Sequence, residues 1–186
     1  MASTCLRGAR HDAVGEVQPR GDARAGGSLV VAEATAPGSL DPALVATPVA
    51  RRAAWLAYTP PLTYRRVDGE DGTDLVPALS EELPETSDDG RSYSFRLRPG
   101  LRYSNGMLVR ASDFERAVAR SLRLSPRGRA LWRHVVGARA FARRDGDSTD
   151  VRGIAANDRS GRVRIELERP DRMFPYALAT LAAAPV

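Results

Sequence analysis

The chain's 186 residues, 42% hydrophobic and 27% charged, suffice for one globular domain with a real core, or for one domain and part of another. No run approaches the ~18 apolar residues of a membrane-spanning helix, and a single cysteine, Cys5, excludes an internal disulfide. All 28 basic residues are arginine, against 23 acidic ones, for a net charge of +5. They pair only at Arg51-Arg52, Arg65-Arg66 and Arg143-Arg144, which reads as solvated faces with a weak preference for anions, not as a nucleic-acid stripe.

Residues 1–28 carry charges and glycines with almost no apolar periodicity, the pattern of a disordered tether. Within it, "ASTC" at Ala2 to Cys5 resembles the end of a bacterial lipoprotein signal, which would make Cys5 the lipidated residue and the tether a membrane anchor. The apolar segment that should precede it is not in the sequence. Leu29 to Ala32 is a continuous apolar run, predicted as a strand buried on both faces.

"PGSLDP" predicts a turn in which the Asp41 carboxylate takes nearby amides. Thr47-Pro48 predicts a helix start, with Thr47 as cap, Pro48 in the first turn, and Val49, Ala53, Leu56 and Ala57 on the buried stripe. Pro60-Pro61 stops it. "LTYRRV" reads as a strand, "DGEDG" as a turn, and the stretch to Gly90 as irregular, with one helical turn near Ala78 to Glu81.

In "SYSFRLRPG", Tyr93, Phe95 and Leu97 alternate with Ser94, Arg96 and Arg98, a half-buried strand. Pro99-Gly100 fits a type II turn, and Asn105-Gly106 a two-residue type I′ hairpin. Ser112 and Glu115 have capping-box spacing ahead of the Phe114, Val118, Leu122 stripe. Short helices follow with Leu131, Val135 and Phe141 inward. Gly153 to Ala156 and Val163 to Leu167 then pair across "NDRSG", and the last segment is partly helical.

Catalytic chemistry finds little to work with. His11 lies in the tether and His134 beside Arg133, so no histidine pair has metal-ligand spacing. Asp145, Asp147 and Asp150 sit close together, but the third falls one residue late for a calcium loop and Ala156 stands where the closing Glu belongs. No glycine run has the Lys and context of a phosphate loop. The sequence therefore predicts a non-enzyme with no metal or other cofactor. Trp55, Trp132 and the tyrosines are candidates for packing or for a ligand surface.

The order of segments is more specific than any one residue. Leu40-Asp41-Pro42, Leu75-Val76-Pro77-Ala78-Leu79, Asp89-Gly90, Tyr93, Phe95, Leu97-Arg98, Gly100, Tyr103, Gly106, Ala111 and Asp113-Phe114 recur in the order of a known pattern, and "GIAANDRSGRVRIELERPDRMFPYALA" resembles its closing segment. The chain resembles the family 5 extracellular solute-binding proteins, receptors of bacterial ABC importers for peptides, nickel and opines. Leu83 departs from the family's usual Trp, and Met107-Leu108-Val109 from Thr-Pro-Val/Leu. The length is roughly the first third of a member.

The resemblance implies an α+β chain, the N-terminal part of a two-lobed periplasmic-binding-protein-type fold with a mixed sheet and an accessory subdomain. Residues 29–48 would open lobe I, 49–170 form the accessory subdomain, and 171–186 return into lobe I. It further implies a peptide or similar solute as ligand, ABC permease subunits as partners, no nucleic acid, and work at the periplasmic or extracellular face of the cell membrane. The loop Ala43 to Pro48, with Ala46 and Pro48 foremost, would touch ligand through its backbone, and the loop Ser125 to Trp132 would be a second contact through Trp132. A stand-alone interaction or sensor module derived from such a receptor is the alternative reading.

Overall fold

The computed structural model describes residues 30–36, 38–144, 146 and 148–186. Cys5, Leu29, Asp145, Asp147 and the tether lie outside them. Helix α1 is Pro48–Trp55. Strands β1 (Leu62–Tyr64) and β2 (Leu75–Pro77) pair antiparallel as a small ribbon. Strands β3 (Glu85–Thr86), β4 (Ser92–Arg96), β5 (Ile154–Asn157) and β6 (Arg162–Glu166) form an antiparallel sheet in the order β3-β4-β6-β5. Helices α2 (Ala111–Leu124), α3 (Pro126–Leu131), α4 (Ala138–Phe141) and α5 (Phe174–Leu178) complete the set.

The sheet follows from its alternation. Tyr93 and Phe95 on β4 stand opposite Ile165 and Val163 on β6, and all four are buried, so one face of the pleat is continuous hydrocarbon. Phe114, Val118 and Leu122 of α2 are buried as their spacing requires. An aromatic chain runs through the core: Phe95 meets Phe114 edge-on at 5.4 Å, Phe114 meets Trp132 at 6.3 Å, and Trp132 meets Phe174 at 6.1 Å. Tyr93 lies 5.1 Å from Phe174, and its hydroxyl donates to the Asp171 carbonyl at 2.8 Å. Sheet, α2, α3 and α5 therefore share one core.

Several local expectations need correction. The capping box at α2 uses Arg110 and Asp113: the Arg110 amide donates to Asp113 Oδ2 at 2.9 Å, closing the first turn two positions before the expected Ser112–Glu115 pair. Ser112 instead reaches Asp158 through its amide and hydroxyl, at 2.8 and 2.9 Å, and Glu115 accepts from the Val151 amide. The stretch 78–86 has no helical turn; it supplies β3, with a bridge from Ser80 to Leu97. The Asn105-Gly106 hairpin is a three-residue one, because Gly106 N–H donates to Tyr103 and Tyr103 N–H to Met107 with Gly106 at φ 85°, the geometry of a turn closed by a left-handed glycine. Gly100 adopts the φ of 75° that the Pro-Gly turn needs.

Helix α1 begins as predicted, with Thr47 Oγ1 accepting from the Ala50 amide at 3.1 Å. Its buried residues are Ala50 and Ala54, while Leu56 is 88% exposed. The helix packs through its small residues, toward the turn at Leu181–Ala183, and its bulkier side chains are left outward. The opening run also differs from expectation. Residues 30–33 form no strand, and Val30 is 91% exposed. A strand buried on both faces needs neighbours to bond and cover it, and no described strand lies beside it.

Candidate functional site

The loop 41–48 is held from two sides. Arg120, on α2, forks onto Asp41: Nη1 to Oδ1 at 2.8 Å and Nη2 to Oδ2 at 2.6 Å. Asp41 also caps its own turn through the Ala43 amide at 3.0 Å. The Arg120 hydrogen bonds, opposed by some burial, hold the Asp41 carboxyl below the usual carboxylate range. From α3, Arg127 Nη1 donates to the Ala46 carbonyl at 3.0 Å. A further fork, Arg52 on Glu33 at 2.7–3.0 Å, holds the segment before the loop to α1. Two-toothed guanidinium–carboxylate pairs fix orientation as well as distance.

Beside the loop lies an open groove of about 860 Å³, within the range of small-molecule sites. Val45, Trp55, Leu56, Tyr64, Leu131 and Leu181 supply its apolar walls. Arg51, Arg65, Arg66 and Arg127 also line it, and among the described residues no acidic one does. Its base is the crossing of α2 and α3. There a Cβ on Gly128 would fall 2.2 Å from both Ser121 O and Oγ, so only glycine permits this approach. Ser125 ends α2 and caps α3, its hydroxyl accepting from the Gly128 amide at 3.3 Å, which places Arg127 and Leu131 at the groove.

The expected contact residues separate here. Ala46 and Pro48 are exposed on the loop, the first with its carbonyl already engaged by Arg127 and the second without an amide proton. Trp132 is wholly buried, at 0% exposure. Its indole is a link in the aromatic chain and offers no face to a solute, so its place as a ligand contact is corrected. Trp55 and Tyr64 are the aromatics that reach the groove. The sequence named Trp55 as a candidate surface residue without marking it off from Trp132.

Two polar clusters lie elsewhere. His134 Nε2 receives Arg133 Nε at 2.8 Å and lies 2.7 Å from Arg169 Nη2. Burial, then the charges of Arg169 and Arg133, push the imidazole below its ordinary value, so it is neutral and accepts at that nitrogen. Tyr103 donates to Asp113 Oδ2 at 2.9 Å, and burial together with that carboxylate drives the phenol upward. Both complete local structure. Among the described residues no group of acidic, histidine or cysteine side chains is placed to hold a metal, and no helix is long and apolar enough to cross a membrane.

The mixed architecture of antiparallel sheet and helices is that of the α+β N-terminal part of two-lobed solute-binding proteins. Solved structures share it. The chain superposes on the clavulanic acid biosynthesis oligopeptide binding protein 2 with TM-score 0.70 and 27% identity, covering 81% of this chain and 28% of that one. It superposes on the Escherichia coli murein tripeptide binding protein MppA with TM-score 0.67 and 25% identity, with the same coverage.

Residues 74–186 match the family described as bacterial extracellular solute-binding proteins, family 5 Middle, and the chain belongs to that family. Among curated relatives, the oligopeptide-binding protein OppA of Bacillus subtilis is 31% identical over 127 residues, 67% of this chain and 22% of OppA. The probable deoxycholate-binding periplasmic protein YgiS of Escherichia coli is 32% identical over 120 residues, 62% of this chain and 22% of its own length. The chain thus spans under a quarter of the curated relatives it matches. The family is one of binding proteins, and its members work in the periplasm or outside the cell.

Proposed function

We propose that the chain is the N-terminal part of the substrate-binding component of a bacterial ABC importer, capturing peptides or similar small solutes outside the membrane for delivery to permease subunits. The observation that carries the reading is the convergence of the doubly pinned loop and the open groove in a chain of this family. The loop meets the solute at its backbone, through the Ala46 amide and the Pro48 carbonyl at the groove's edge, and the groove supplies one wall of a cleft whose closure over a ligand would come from a second lobe. Residues 29–48 open the first lobe, 49–170 are the accessory subdomain, and 171–186 return to the first lobe. Cys5 is the point of lipid attachment, and no catalytic step is involved.

Uptake tests this directly. Cells carrying a chromosomal in-frame deletion of codons 41–48 are expected to lose import of a labelled mixture of short peptides and organic acids; import at the parental rate would overturn the reading. An open wall cannot enclose a ligand, and enclosure is what gives such sites affinity. Calorimetric titration of the 186-residue chain with a mixed peptide library is therefore expected to show weak binding only, and micromolar binding would contradict the shared-cleft mechanism.

A further inference from the structure

The arginine pairs of the sequence do not remain scattered in the fold. Arg51 from α1, Arg65 and Arg66 from the end of β1, and Arg127 from α3 are brought to one groove. Arg127 is engaged by the Ala46 carbonyl. Arg65 has Asp74 at 3.5 Å, with the Arg65 side chain 43% exposed, a loose pair worth little in water. Among the described residues no carboxylate lines the groove. The walls between these cations are hydrocarbon and aromatic: Val45, Trp55, Leu56, Tyr64, Leu131 and Leu181. Such a surface attracts negative charge and repels an ammonium group. It also rewards an apolar body that displaces water from the walls.

We infer that the groove selects an organic anion, an apolar body carrying a carboxylate, over cationic solutes of the same apolar size. This rests on the reading of the groove as the solute site and adds the class of solute. The carboxylate meets the guanidinium forks of Arg51, Arg65 and Arg66 at the mouth, where planar two-toothed pairing is available. The apolar body lies along Trp55 and Leu56. The groove is concave, which favours a small molecule over a flat lipid surface.

Trp55 provides the readout, because the other tryptophan, Trp132, is buried away from the groove. Decanoate, held below its micelle concentration, is titrated into the 186-residue chain and compared with decylammonium of equal chain length. Decanoate is expected to shift the tryptophan emission saturably, decylammonium not, and the Trp55→Phe variant is expected to lose the signal. Added sodium chloride weakens the decanoate response. Replacing Arg51, Arg65 and Arg66 together by Gln is expected to weaken decanoate about tenfold or more. Replacing them by Lys is expected to keep the preference for decanoate over decylammonium while losing part of the affinity, since an ammonium supplies the charge but not the fork. The three side chains are exposed, so both variants fold, which circular dichroism verifies.

Equal responses to decanoate and decylammonium, a response untouched by the Gln replacements, or no response at all would overturn the inference. So would an emission shift produced by phosphatidylglycerol vesicles and not by monomeric decanoate, which would make the face a membrane-docking surface. Loss of anion selectivity with solute uptake intact removes the inference and leaves the receptor reading standing; loss of uptake dependence on residues 41–48 removes the receptor reading itself.

Discussion

The sheet-and-helix layer and the groove side of this molecule are built from the same chain but are finished to different degrees. In the first, Tyr93, Phe95, Phe114, Trp132, Val163 and Ile165 are all buried against one another. In the second, Val30, Val31, Leu56 and Tyr64 remain in contact with solvent, and the segment is held by guanidinium forks onto Asp41 and Glu33. Hydrophobic packing fixes the first region, and charge geometry places the second. The difference teaches where each kind of residue acts: the subdomain is a foundation, and the loop and groove are what it presents.

The comparison breaks first, and most deeply, in the foundation. Phe114→Ala removes a ring in contact with both Phe95 and Trp132 and is expected to cost about 4 kcal/mol, read as a shift of the urea midpoint. A change below about 1 kcal/mol would mean that the aromatic chain is not the keystone of the core. Next is Gly128→Ala, where the added carbon collides with backbone as well as side chain of Ser121. A cost of about 2 kcal/mol is expected from the forced separation of α3 from α2, together with altered Trp55 emission as the groove base moves.

Asp41→Asn sharpens the comparison at the boundary. It leaves the sheet alone and is expected to raise hydrogen exchange at the amides of 43–46 while costing about 1 kcal/mol of global stability. Wild-type protein should show the same loosening on acidification. The Asp41 carboxyl is lower in the folded state than its ordinary 3.8, so its contribution is fully present above about pH 4 and is lost as pH falls through the depressed folded value. Exchange in 43–46 that is independent of pH across that window would show that the Arg120 fork does not hold the loop. The smallest effect is at Leu56, 88% exposed. Leu56→Ser is expected to leave stability within about 0.5 kcal/mol, and a large destabilisation would mean that the groove wall is part of the core.

What the sequence made legible follows the same division. Strand alternation at Tyr93 to Leu97 and at Val163 to Leu167, and the helical stripe from Phe114 to Leu122, encode burial directly, and the structure pairs Phe95 with Val163 and buries the stripe. The Thr47-Pro48 start was equally plain, because cap and proline are local signals. Helix α1's face was not, since alanines carry too little hydrophobicity to compete with Val49 and Leu56 in a periodicity argument, yet they are what fits where the helix packs close. The apolar run at Val30 and Val31 shows the opposite failure: hydrophobicity states a need for cover, not its presence. The groove was illegible because Arg51, Arg65 and Arg127 converge only through tertiary structure, and one-dimensional spacing gave no reason to gather them. Trp55 and Trp132 have the same residue type and opposite fates: the first ends α1 at the groove, and the second packs between Phe114 and Phe174 in the core.

The fork between Arg120 and Asp41 joins positions 79 residues apart. On a ribosome adding about 5–20 residues each second, the partner of Asp41 emerges roughly 4–16 s after it. Tyr93 waits nearly as long for the carbonyl of Asp171, 78 residues later. Until Arg120 is made, the nearer fork between Arg52 and Glu33, 19 residues apart, is the charge pair that can form ahead of the loop, so the short-range fork precedes the long-range one in synthesis.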